Sequence, residues 1–362
     1  MLPVANRPLL EYVIEALAEA GIEDIILVVG YQRDRIQTYF ADGNAWDVNI
    51  EYVVQDTQLG TGHAVKQLEG RLEEPFLVLN GDRLIESELI TRVQAAASDD
   101  VAATVGITRV DAPQEYGVVS TDGDALVAIT EKPGEAPASE IINAGVYQLS
   151  PRAFDAIDET GSTADGEIRL PDALTALADE AAVNVARYNG LWIDTSQLWD
   201  LLVINDAILG RNDCPMRGRH HEAAVVDARV CSHPDTRVAG NATVGRGTSL
   251  GSNVTIGPGA VIRNSIVLPD VTIEAGAVVQ DCILGEDVTI GANATVAAGR
   301  SSPIVDGVVH EDVPLGAVIG DYSRIGDGAV IQSGTIIGDK TTVADGAVAS
   351  GRIETGTTVL RG

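Results

Sequence analysis

Aliphatic residues recur at every sixth position through much of the second half of the chain. They fall into two registers, one of Val238, Val244, Leu250, Ile256, Ile262 and Leu268 and the other of Ile319, Ile325, Ile331, Ile337 and Val343. Gly, Asn, Asp, Ser and Thr fill most positions between them. A period of six fits neither an amphipathic helix nor an ordinary strand, but it fits a parallel β-helix in which each hexad is one side of a triangular coil. The repeat therefore predicts a separate domain over residues 223–362.

The first half of the chain alternates between helical and strand patterns. Apolar residues at helical spacing in 8–20 end at Gly21, and the apolar run 25–29 predicts a buried parallel strand. Further strands are predicted at 50–54, 76–80, 101–109, 116–120, 125–131 and 142–148, and helices at 32–40, 61–69, 87–97, 168–180 and 196–209. The alternation predicts an α/β domain over residues 1–212, with a mixed but mainly parallel, Rossmann-like sheet whose strand ends collect ligands. The polar stretch 213–222 is predicted to be a linker.

Charge restricts the partners of this chain. The 362 residues carry a formal net charge of −29, and only three residues are Lys. Because such a field repels phosphate, the composition argues against a nucleic-acid or anionic-membrane partner. It is also typical of a protein from a high-salt (halophilic) cytoplasm. We find no apolar run of transmembrane length and no signal peptide, so a cytoplasmic location is predicted.

The cysteines predict neither a disulfide framework nor a zinc knuckle. Cys214, Cys231 and Cys282 are odd in number, and no Cys-x-x-Cys pair occurs. Cys231 and His233 could act as metal ligands, but a structural role is favoured for a lone pair of this kind.

One candidate ligand segment, residues 55–63, follows a predicted strand and opens a helix. Gly60 and Gly62 would let the backbone approach a planar ligand closely, and the Gln55 amide offers a donor and an acceptor to a base edge. A strand-to-helix turn capped by Thr61 explains the same residues equally well.

Two acidic residues follow apolar stretches that are far apart in the sequence. Asp82 ends the motif Leu-Asn-Gly-Asp and is well placed to hold Mg²⁺ beside phosphate oxygens, although a helix N-cap is an alternative. Asp194 ends Leu-Trp-Ile-Asp and could converge on the same cation. Glu131-Lys132 sets an acceptor for sugar hydroxyls beside a cation for phosphate. Asn143-Ala-Gly145, within a strand, predicts a donor and a bare backbone facing a ligand.

Taken in order, these stretches resemble the sugar-1-phosphate nucleotidylyltransferase family over essentially the whole of residues 1–210. The matching motifs are Met-Leu-Pro-Val-Ala-Asn-Arg-Pro-Leu at 1–9, Gln-Leu-Gly-Thr-Gly-His-Ala at 58–64, Asn-Gly-Asp at 80–82, Tyr-Gly at 116–117, Glu-Lys-Pro at 131–133, Asn-Ala-Gly at 143–145 and Leu-Trp-Ile-Asp at 191–194. With the repeat domain appended, the chain is similar to the archaeal bifunctional N-acetylglucosamine-1-phosphate uridylyltransferases and glucosamine-1-phosphate acetyltransferases. The resemblance implies a left-handed β-helix and a homotrimer.

The resemblance also implies a role for each motif. The residues assigned in this way are Gln55, Gly60 and Thr61 for the nucleotide, Asp82 and Asp194 for the catalytic Mg²⁺, Gly117, Glu131 and Asn143 for the sugar, and Lys132 for its phosphate. The substrates would be UTP or dTTP together with glucose-1-phosphate or N-acetylglucosamine-1-phosphate. The two bases differ by one methyl group, worth only about 1–3 kcal/mol, so both remain open.

Two departures from the family pattern lead to further expectations. The family's opening strand and Gly-rich phosphate loop have no counterpart here, and we expect the true start to lie upstream of Met1. The alternative is a non-catalytic binding or assembly protein. The His, Tyr and Asn of the related acetyltransferases correspond to Ala275, Val278 or Val279, and Gly299. His310, in the stretch 297–318 that breaks the repeat, could deprotonate an amine, but a solvated loop His is favoured, so acetyl transfer through the β-helix is not expected.

Overall fold

The computed structural model describes residues 3–133, 139–211, 214–305 and 307–361. The chain divides into two compact units, the first of residues 9–194 and the second of residues 3–8 with residues 195–361. The second unit thus begins before residue 212, where the sequence places the end of the first domain. The reason is that the short strands β1 (Pro3–Val4) and β2 (Arg7–Pro8) and the following helix 200–210 pack within the second unit.

The first unit is an α/β structure. Its helices are α1 (Leu9–Glu19), α2 (Arg33–Phe40), α3 (Thr61–Lys66), α4 (Ser87–Ala95), α5 (Arg152–Thr160) and α6 (Leu170–Glu180). Its strands are β3 (Asp24–Val29), β4 (Asn49–Val54), β5 (Phe76–Leu79), β6 (Arg83–Ile85), β7 (Ala103–Arg109), β8 (Gly117–Asp122), β9 (Ala125–Glu131), β10 (Ile141–Leu149), β11 (Val183–Arg187) and β12 (Trp192–Asp194). Short 3₁₀ turns cover Asn44–Trp46 and Pro113–Glu115.

The strands of the first unit form a mixed arrangement. Six strands pair in the order β5-β10-β7-β11-β9-β8, and only β7 with β11 is parallel among these pairs. The parallel pair β3–β4 and the antiparallel pair β6–β12 are separate two-stranded sheets. The expectation of a mainly parallel sheet is therefore wrong for the large sheet, because the hairpin β8–β9 and the return strand β10 run antiparallel to their neighbours.

Apolar residues on both faces of these strands form two cores. On one side, buried residues of β7, β9, α5 and α6 form a cluster against which Ile26, Val28 and Val78 pack. On the other, residues of α1, α4 and β10 form a cluster against which Leu27 and Leu77 pack. The alternation along β3 and β5 is the period of two that a strand covered on both faces requires.

The second unit is a left-handed parallel β-helix with three faces. The first face contains β13 (Arg219–His220), β16 (Arg237–Val238), β19 (Thr255–Ile256), β22 (Thr272–Ile273), β25 (Thr289–Ile290), β32 (Arg324–Ile325), β35 (Thr342–Val343) and β38 (Thr358–Val359). The second contains β14 (Val225–Val226), β17 (Thr243–Val244), β20 (Val261–Arg263), β23 (Val278–Gln280), β26 (Thr295–Val296), β33 (Val330–Ile331) and β36 (Val348–Ala349). The third contains β15 (Val230–Ser232), β18 (Thr248–Leu250), β21 (Ile266–Val267), β24 (Cys282–Leu284), β31 (Ala317–Ile319), β34 (Thr335–Ile337) and β37 (Arg352–Ile353).

The six-residue period is confirmed as the repeat of inward-facing side chains. Val238, Val244, Leu250, Ile256 and Ile262 all lie in the buried core of the coils. Leu268 does not continue this register, because Val267 pairs with Leu250 and enters the core instead. The coil is one residue shorter there, and each buried aliphatic side chain still contributes about 1.5–3 kcal/mol.

The corners of the coils depend on residues that tolerate a left-handed backbone. Asn241, Asn253, Asp270 and Asp287 all have φ between 55° and 62°. Asn and Asp adopt this conformation more readily than other side chains do, because their short polar groups bond locally. The Asn and Asp residues between the aliphatic positions are therefore the residues that turn each coil.

One excursion interrupts the coils between β26 and β31. It contains the short strands β27 (Arg300–Ser301), β28 (Ile304–Val305), β29 (Val308–Val309) and β30 (Val313–Pro314), which pair as two antiparallel ladders. The interruption coincides with the break in the six-residue pattern at 297–318 and confirms that these residues leave the β-helix.

Helix α7 (Asp200–Gly210) and the β1–β2 turn pack on the third face of the β-helix. The fully buried Asn205 accepts a hydrogen bond from the Ala5 N–H at 2.8 Å and donates one to the Gly247 carbonyl at 2.8 Å. Cys214 and Cys231 form a disulfide beside this junction, with 5.1 Å between their Cα atoms. The odd cysteine count did not predict this bond. Cys282 is a buried free thiol, and burial raises its pKa to about 12.

The helices of the described part of the chain are short. The longest have 11 residues, and none is both long and apolar enough to cross a lipid bilayer.

Candidate active site

The two aspartates predicted to hold a cation come from neighbouring strands. Asp82 immediately precedes β6, and Asp194 is the last residue of β12, where its Cα pairs with that of Arg83. Asp82 remains accessible to solvent, yet partial burial raises the pKa of its carboxyl group. The Arg83 guanidinium opposes this shift and the Asp194 carboxylate adds to it. Residues 112 positions apart are thus brought close enough for their charges to interact.

Arg83 is a component of this site that the sequence did not reveal. Its Nε donates a hydrogen bond to Asp194 Oδ1 at 2.9 Å, and the two side chains are only 14% and 9% exposed. The guanidinium also lies over the Trp192 ring, 5.3 Å from the centroid. Its Nη1 is buried without a hydrogen-bond partner among the described residues. The one feature of the sequence that could have pointed to Arg83 is that it directly follows Asp82.

Gly145 and Asn143 sit at an irregularity in the centre of the large sheet. The register between β10 and β7 shifts between Asn143 and Tyr147, as in a β-bulge. Asn143 is 7% exposed, donates to the Tyr147 hydroxyl at 2.7 Å and accepts from the Gly145 N–H at 3.0 Å. Burial is the main cause of the raised pKa of Tyr147, whose hydroxyl also senses the charges of Arg83, Glu131 and Asp82.

The bare face of Gly145 is turned toward protein. We expected it to face a ligand, but a Cβ on Gly145 would lie 1.9 Å from Arg83 Nη1. The residue has φ of +72°, which also favours glycine. Gly145 is therefore needed to make room for the guanidinium that pairs with Asp194.

The three residues predicted to bind the sugar lie together. Gly117 and Glu131 are paired across β8 and β9, and a Cβ on Gly117 would lie 2.9 Å from Glu131 Oε2 and 3.7 Å from Asn143 Cβ. Lys132 follows directly, with a left-handed φ of 39° and its N–H bonded to the Tyr116 carbonyl at 3.1 Å. The exposed Lys132 forms no ion pair among the described residues. It is a cation available to an incoming anion.

The residues predicted to bind the nucleotide form a second group, at the end of β4 and the start of α3. Gln55 Nε2 lies 2.8 Å from His63 Nδ1 and 3.4 Å from the Gly60 carbonyl oxygen. The Thr61 hydroxyl accepts a hydrogen bond from the Leu170 N–H at 3.1 Å. A Cβ on Gly60 would lie 2.6 Å from the Ile168 carbonyl oxygen, so the close approach that requires this glycine is to protein. Contact of these residues with a nucleotide remains a prediction.

Divalent-cation binding can be judged from the donor set. Hard cations such as Mg²⁺ prefer carboxylate oxygens, and Asp82 with Asp194 supplies two carboxylates at the same end of the paired strands β6 and β12. No group of three or more His, Cys, Asp or Glu side chains suited to a metal occurs in the described part of the chain. Two carboxylates fit a cation that keeps several waters and binds substrate phosphates, as Mg²⁺ does.

The other candidate ligands lie elsewhere. Cys231 is in the disulfide, and His233 Nδ1 pairs with Asp235 Oδ1 at 2.6 Å, so they do not form a metal pair. His310 packs edge-to-face against Trp199, with 5.1 Å between the ring centroids.

Residues 1–211 match the nucleotidyl transferase family, residues 226–317 match the GMPPB C-terminal domain, and residues 316–351 match the six-fold bacterial transferase hexapeptide repeat. With its α/β unit, paired aspartates and repeat domain, the chain belongs to the nucleotidyl transferase family.

Two relatives of this family are similar to the chain over part of their length. The chain is similar to the low-salt glycan biosynthesis nucleotidyltransferase Agl11 of Haloferax volcanii, with 33% identity over 236 residues, covering 64% of this chain and 65% of the relative. It is similar to the bifunctional protein GlmU of Methanococcus vannielii, with 36% identity over 215 residues, covering 58% of this chain and 49% of the relative. The match thus spans about half to two thirds of the length of these relatives.

One solved structure is similar to this chain in fold. It is UDP-glucose pyrophosphorylase complexed with UDP-glucose, with a TM-score of 0.52 and 25% identity, covering 58% of this chain and 90% of that one.

Proposed function

We propose that this protein transfers a nucleotidyl group from UTP or dTTP to a sugar-1-phosphate, glucose-1-phosphate or N-acetylglucosamine-1-phosphate, and releases pyrophosphate. The observation that carries the proposal is the pairing of β6 with β12, which sets Asp82 beside Asp194 in the part of the chain that matches the nucleotidyl transferase family. The grouping of Gly117, Glu131 and Asn143 supports a sugar site in the same unit.

The residues have separate tasks in this reaction. Gly117, Glu131 and Asn143 would orient the sugar, and Lys132 would neutralise its phosphate so that one phosphate oxygen can approach the α-phosphorus in line with the departing pyrophosphate. Gln55, Gly60 and Thr61 would hold the base and ribose. Asp82 and Asp194 would hold Mg²⁺, which supplies charge neutralisation between the two anions when it is bound. No covalent intermediate with the protein is required.

The test is pyrophosphate release measured with each combination of the two nucleotides and the two sugar phosphates. We expect release that needs both substrates and a divalent cation. A protein that folds, binds Mg-UTP and shows no release with any combination would contradict catalysis, and the second candidate below would then take its place.

That second candidate is a non-catalytic binding or assembly protein. The observation that favours it is the Arg83–Asp194 ion pair, since a carboxylate already neutralised by a guanidinium is a weaker cation ligand. Isothermal titration calorimetry with Mg-UTP separates the two candidates when combined with turnover. Tight binding with turnover supports catalysis, and binding without turnover supports the alternative.

We also propose a homotrimer, assembled through the second face of the β-helix. Outward positions on the first face are polar, namely Arg219, Arg237, Thr255, Thr272, Thr289, Arg324, Thr342 and Thr358. On the third face the outward Cys231, Ser249, Ile266 and Ile283 are at most 4% exposed. The second face instead presents the valine ladder, defined here as Val261, Val278, Thr295, Val330 and Val348 in register. Apolar β-branched surface of this kind favours contact with other copies.

A charge in the valine ladder should prevent this assembly. Val278→Glu would place like charges against one another around a closed three-fold interface, and we expect the mass in solution to fall from about three times 37.8 kDa to 37.8 kDa. Thr272→Glu is the matched control, because it adds the same charge to the polar face of the same coil. Light scattering coupled to gel filtration measures both. A monomeric parent, or equal behaviour of the two variants, would contradict the proposal.

A further inference from the structure

A cleft of about 980 Å³ lies entirely within the second unit. Its walls are the start of α7, the second-face strands β14, β17, β20 and β23 with the corners that follow them, and the base of the excursion near Asp312. Small-molecule sites in proteins are about 300–1,000 Å³, so the cleft is large enough for a ligand of that class. The reaction proposed above assigns no task to it.

The charges that line the cleft argue against an anionic ligand. Its acidic residues are Asp200, Asp206, Asp227, Asp281 and Asp312, and its basic residues are Arg246 and Arg263. The local excess is negative and adds to a chain charge of −29, so phosphate would be repelled. Arg246 and Arg263 in the same lining offset part of this negative charge, which makes the cleft less suited to a cation than the carboxylates alone would be.

Several polar groups in the cleft are left without partners. Asp206 Oδ1 is buried and accepts no hydrogen bond among the described residues. The exposed Arg246 and Arg263 form no ion pair in the same part of the chain. A buried acceptor without a donor costs about 1–3 kcal/mol, so the fold keeps this carboxylate beside the cleft at a cost in stability.

The positions of these donors are fixed by the coils. A Cβ on Gly245 would lie 2.7 Å from Arg263 Cγ, so this glycine lets the Arg263 side chain of the next coil lie close to the corner at Gly245. Beside it, Asn264 Nδ2 donates to Asp281 Oδ1 at 2.7 Å, which leaves the other carboxylate oxygen of Asp281 as an acceptor. The cleft wall therefore offers both donors and acceptors, and the Gln280 amide adds one group of each kind.

An aromatic side chain completes the lining. Trp199 borders the cleft and is supported by the edge-to-face contact with His310. The electron-rich face of an indole attracts the slightly positive C–H groups of an apolar ring face. A neutral ring that carries many hydroxyl groups matches this combination of indole, carboxylates, amides and guanidinium groups.

We propose that this cleft binds a neutral saccharide of one or two rings. Hydroxyl groups would donate to Asp281 and accept from Arg246 and Arg263, while one ring face packs on Trp199. This site is separate from the sugar-1-phosphate residues Gly117, Glu131 and Asn143, and the inference does not depend on nucleotidyl transfer.

The test uses the full chain with glucose, N-acetylglucosamine and maltose as probes. Saturation-transfer NMR detects contact, and calorimetry measures affinity, which we expect to be on the order of 1 mM for at least one probe. Arg263→Gln and Trp199→Ala should each weaken binding at least about tenfold. Arg237→Gln, which changes an exposed arginine on the first face, should leave saccharide binding unchanged.

A control variant distinguishes saccharide binding in the cleft from binding at the sugar-1-phosphate residues. Glu131→Gln should leave saccharide binding intact, whereas loss of binding in this variant would place the saccharide at the other site and overturn the proposal. Arg263 is exposed, so Arg263→Gln remains informative if Trp199→Ala does not fold. Absence of saturable binding by all three probes, binding of glycerol equal to that of the saccharides, or Arg263-dependent binding of inorganic pyrophosphate in their place would each overturn the proposal.

Discussion

Asp82→Asn is expected to lower the rate of pyrophosphate release by at least about a hundredfold. The change keeps the size of the side chain but removes the negative charge that would hold Mg²⁺ between the two anionic substrates. Even residues that only orient metal ligands affect affinity or activity by about 10–100-fold, so loss of a ligand should cost more. The measurement is initial rate as a function of Mg²⁺ concentration in the parent and the variant.

The matched control for this substitution is Asp99→Asn, an exposed aspartate in the turn after α4. It makes the same change in net charge away from the site and should leave the rate unchanged. Equal rates in Asp82→Asn and the parent would remove the metal role of Asp82. Equal losses in both variants would show that the effect comes from the general charge of the protein.

The raised pKa of Asp82 adds a pH dependence to this prediction. A proton and Mg²⁺ compete for the same carboxylate, so metal affinity falls once the pH drops toward the pKa. Because that pKa lies above the ordinary value for aspartate, the loss should begin at a higher pH than for an unperturbed aspartate. Mg²⁺ titrations at successive pH values in the parent give the position of this loss.

Most of the repeat domain could be predicted from the sequence because its physics is local, although its first strand, β13, lies within the stretch 213–222 that was predicted to be a linker. Each hexad places one aliphatic residue in the coil interior, and the Asn or Asp between hexads supplies the left-handed corner. The register was lost only at Leu268, where one side of the coil is a residue shorter and Val267 turns inward. The sequence could not reveal this shortening by one residue, because Val267 and Leu268 are both aliphatic and either could occupy the interior position.

The first unit was harder to predict because strand pairing is a long-range property. Most strands and helices were placed within a few residues, but α5, β6, β11 and β12 were missed. The apolar pattern does not say that β10 returns antiparallel between β5 and β7. Tertiary packing decides the direction of such strands, and the strands of a mixed sheet share one pattern of burial.

The candidate site, too, was predictable only in part. Motif positions brought out Asp82, Asp194 and Glu131, but the role of each glycine could not be deduced from its lack of a side chain. Gly60 and Gly145 were both expected to face ligands, and the structure adds that a side chain at either position would overlap protein, at Ile168 and Arg83 respectively. A glycine in the sequence indicates that another group comes close to the backbone at that position. Only the three-dimensional structure shows which group that is.

Gly145→Ala should disrupt the Arg83–Asp194 pair without touching either residue. The added methyl group would overlap the guanidinium, which a Cβ would approach to 1.9 Å, and would also strain a backbone with φ of +72°. The strain costs about 1–3 kcal/mol, and displacement of a buried ion pair adds to it. We therefore expect the free energy of unfolding to fall by more than about 3 kcal/mol in denaturant titrations.

Gly123→Ala separates the two contributions. Gly123 has a similar φ of +61°, but nothing lies within 4 Å of its Cβ position, so this variant carries the backbone strain alone. A larger loss in Gly145→Ala than in Gly123→Ala measures the overlap with Arg83. Released from Arg83, Asp194 would become a stronger cation ligand, and folded Gly145→Ala protein should then bind Mg²⁺ more tightly than the parent in calorimetry. Equal destabilisation in the two variants with unchanged Mg²⁺ affinity would mean that Arg83 moves aside freely, and the ion pair would then be no obstacle to a cation at Asp194.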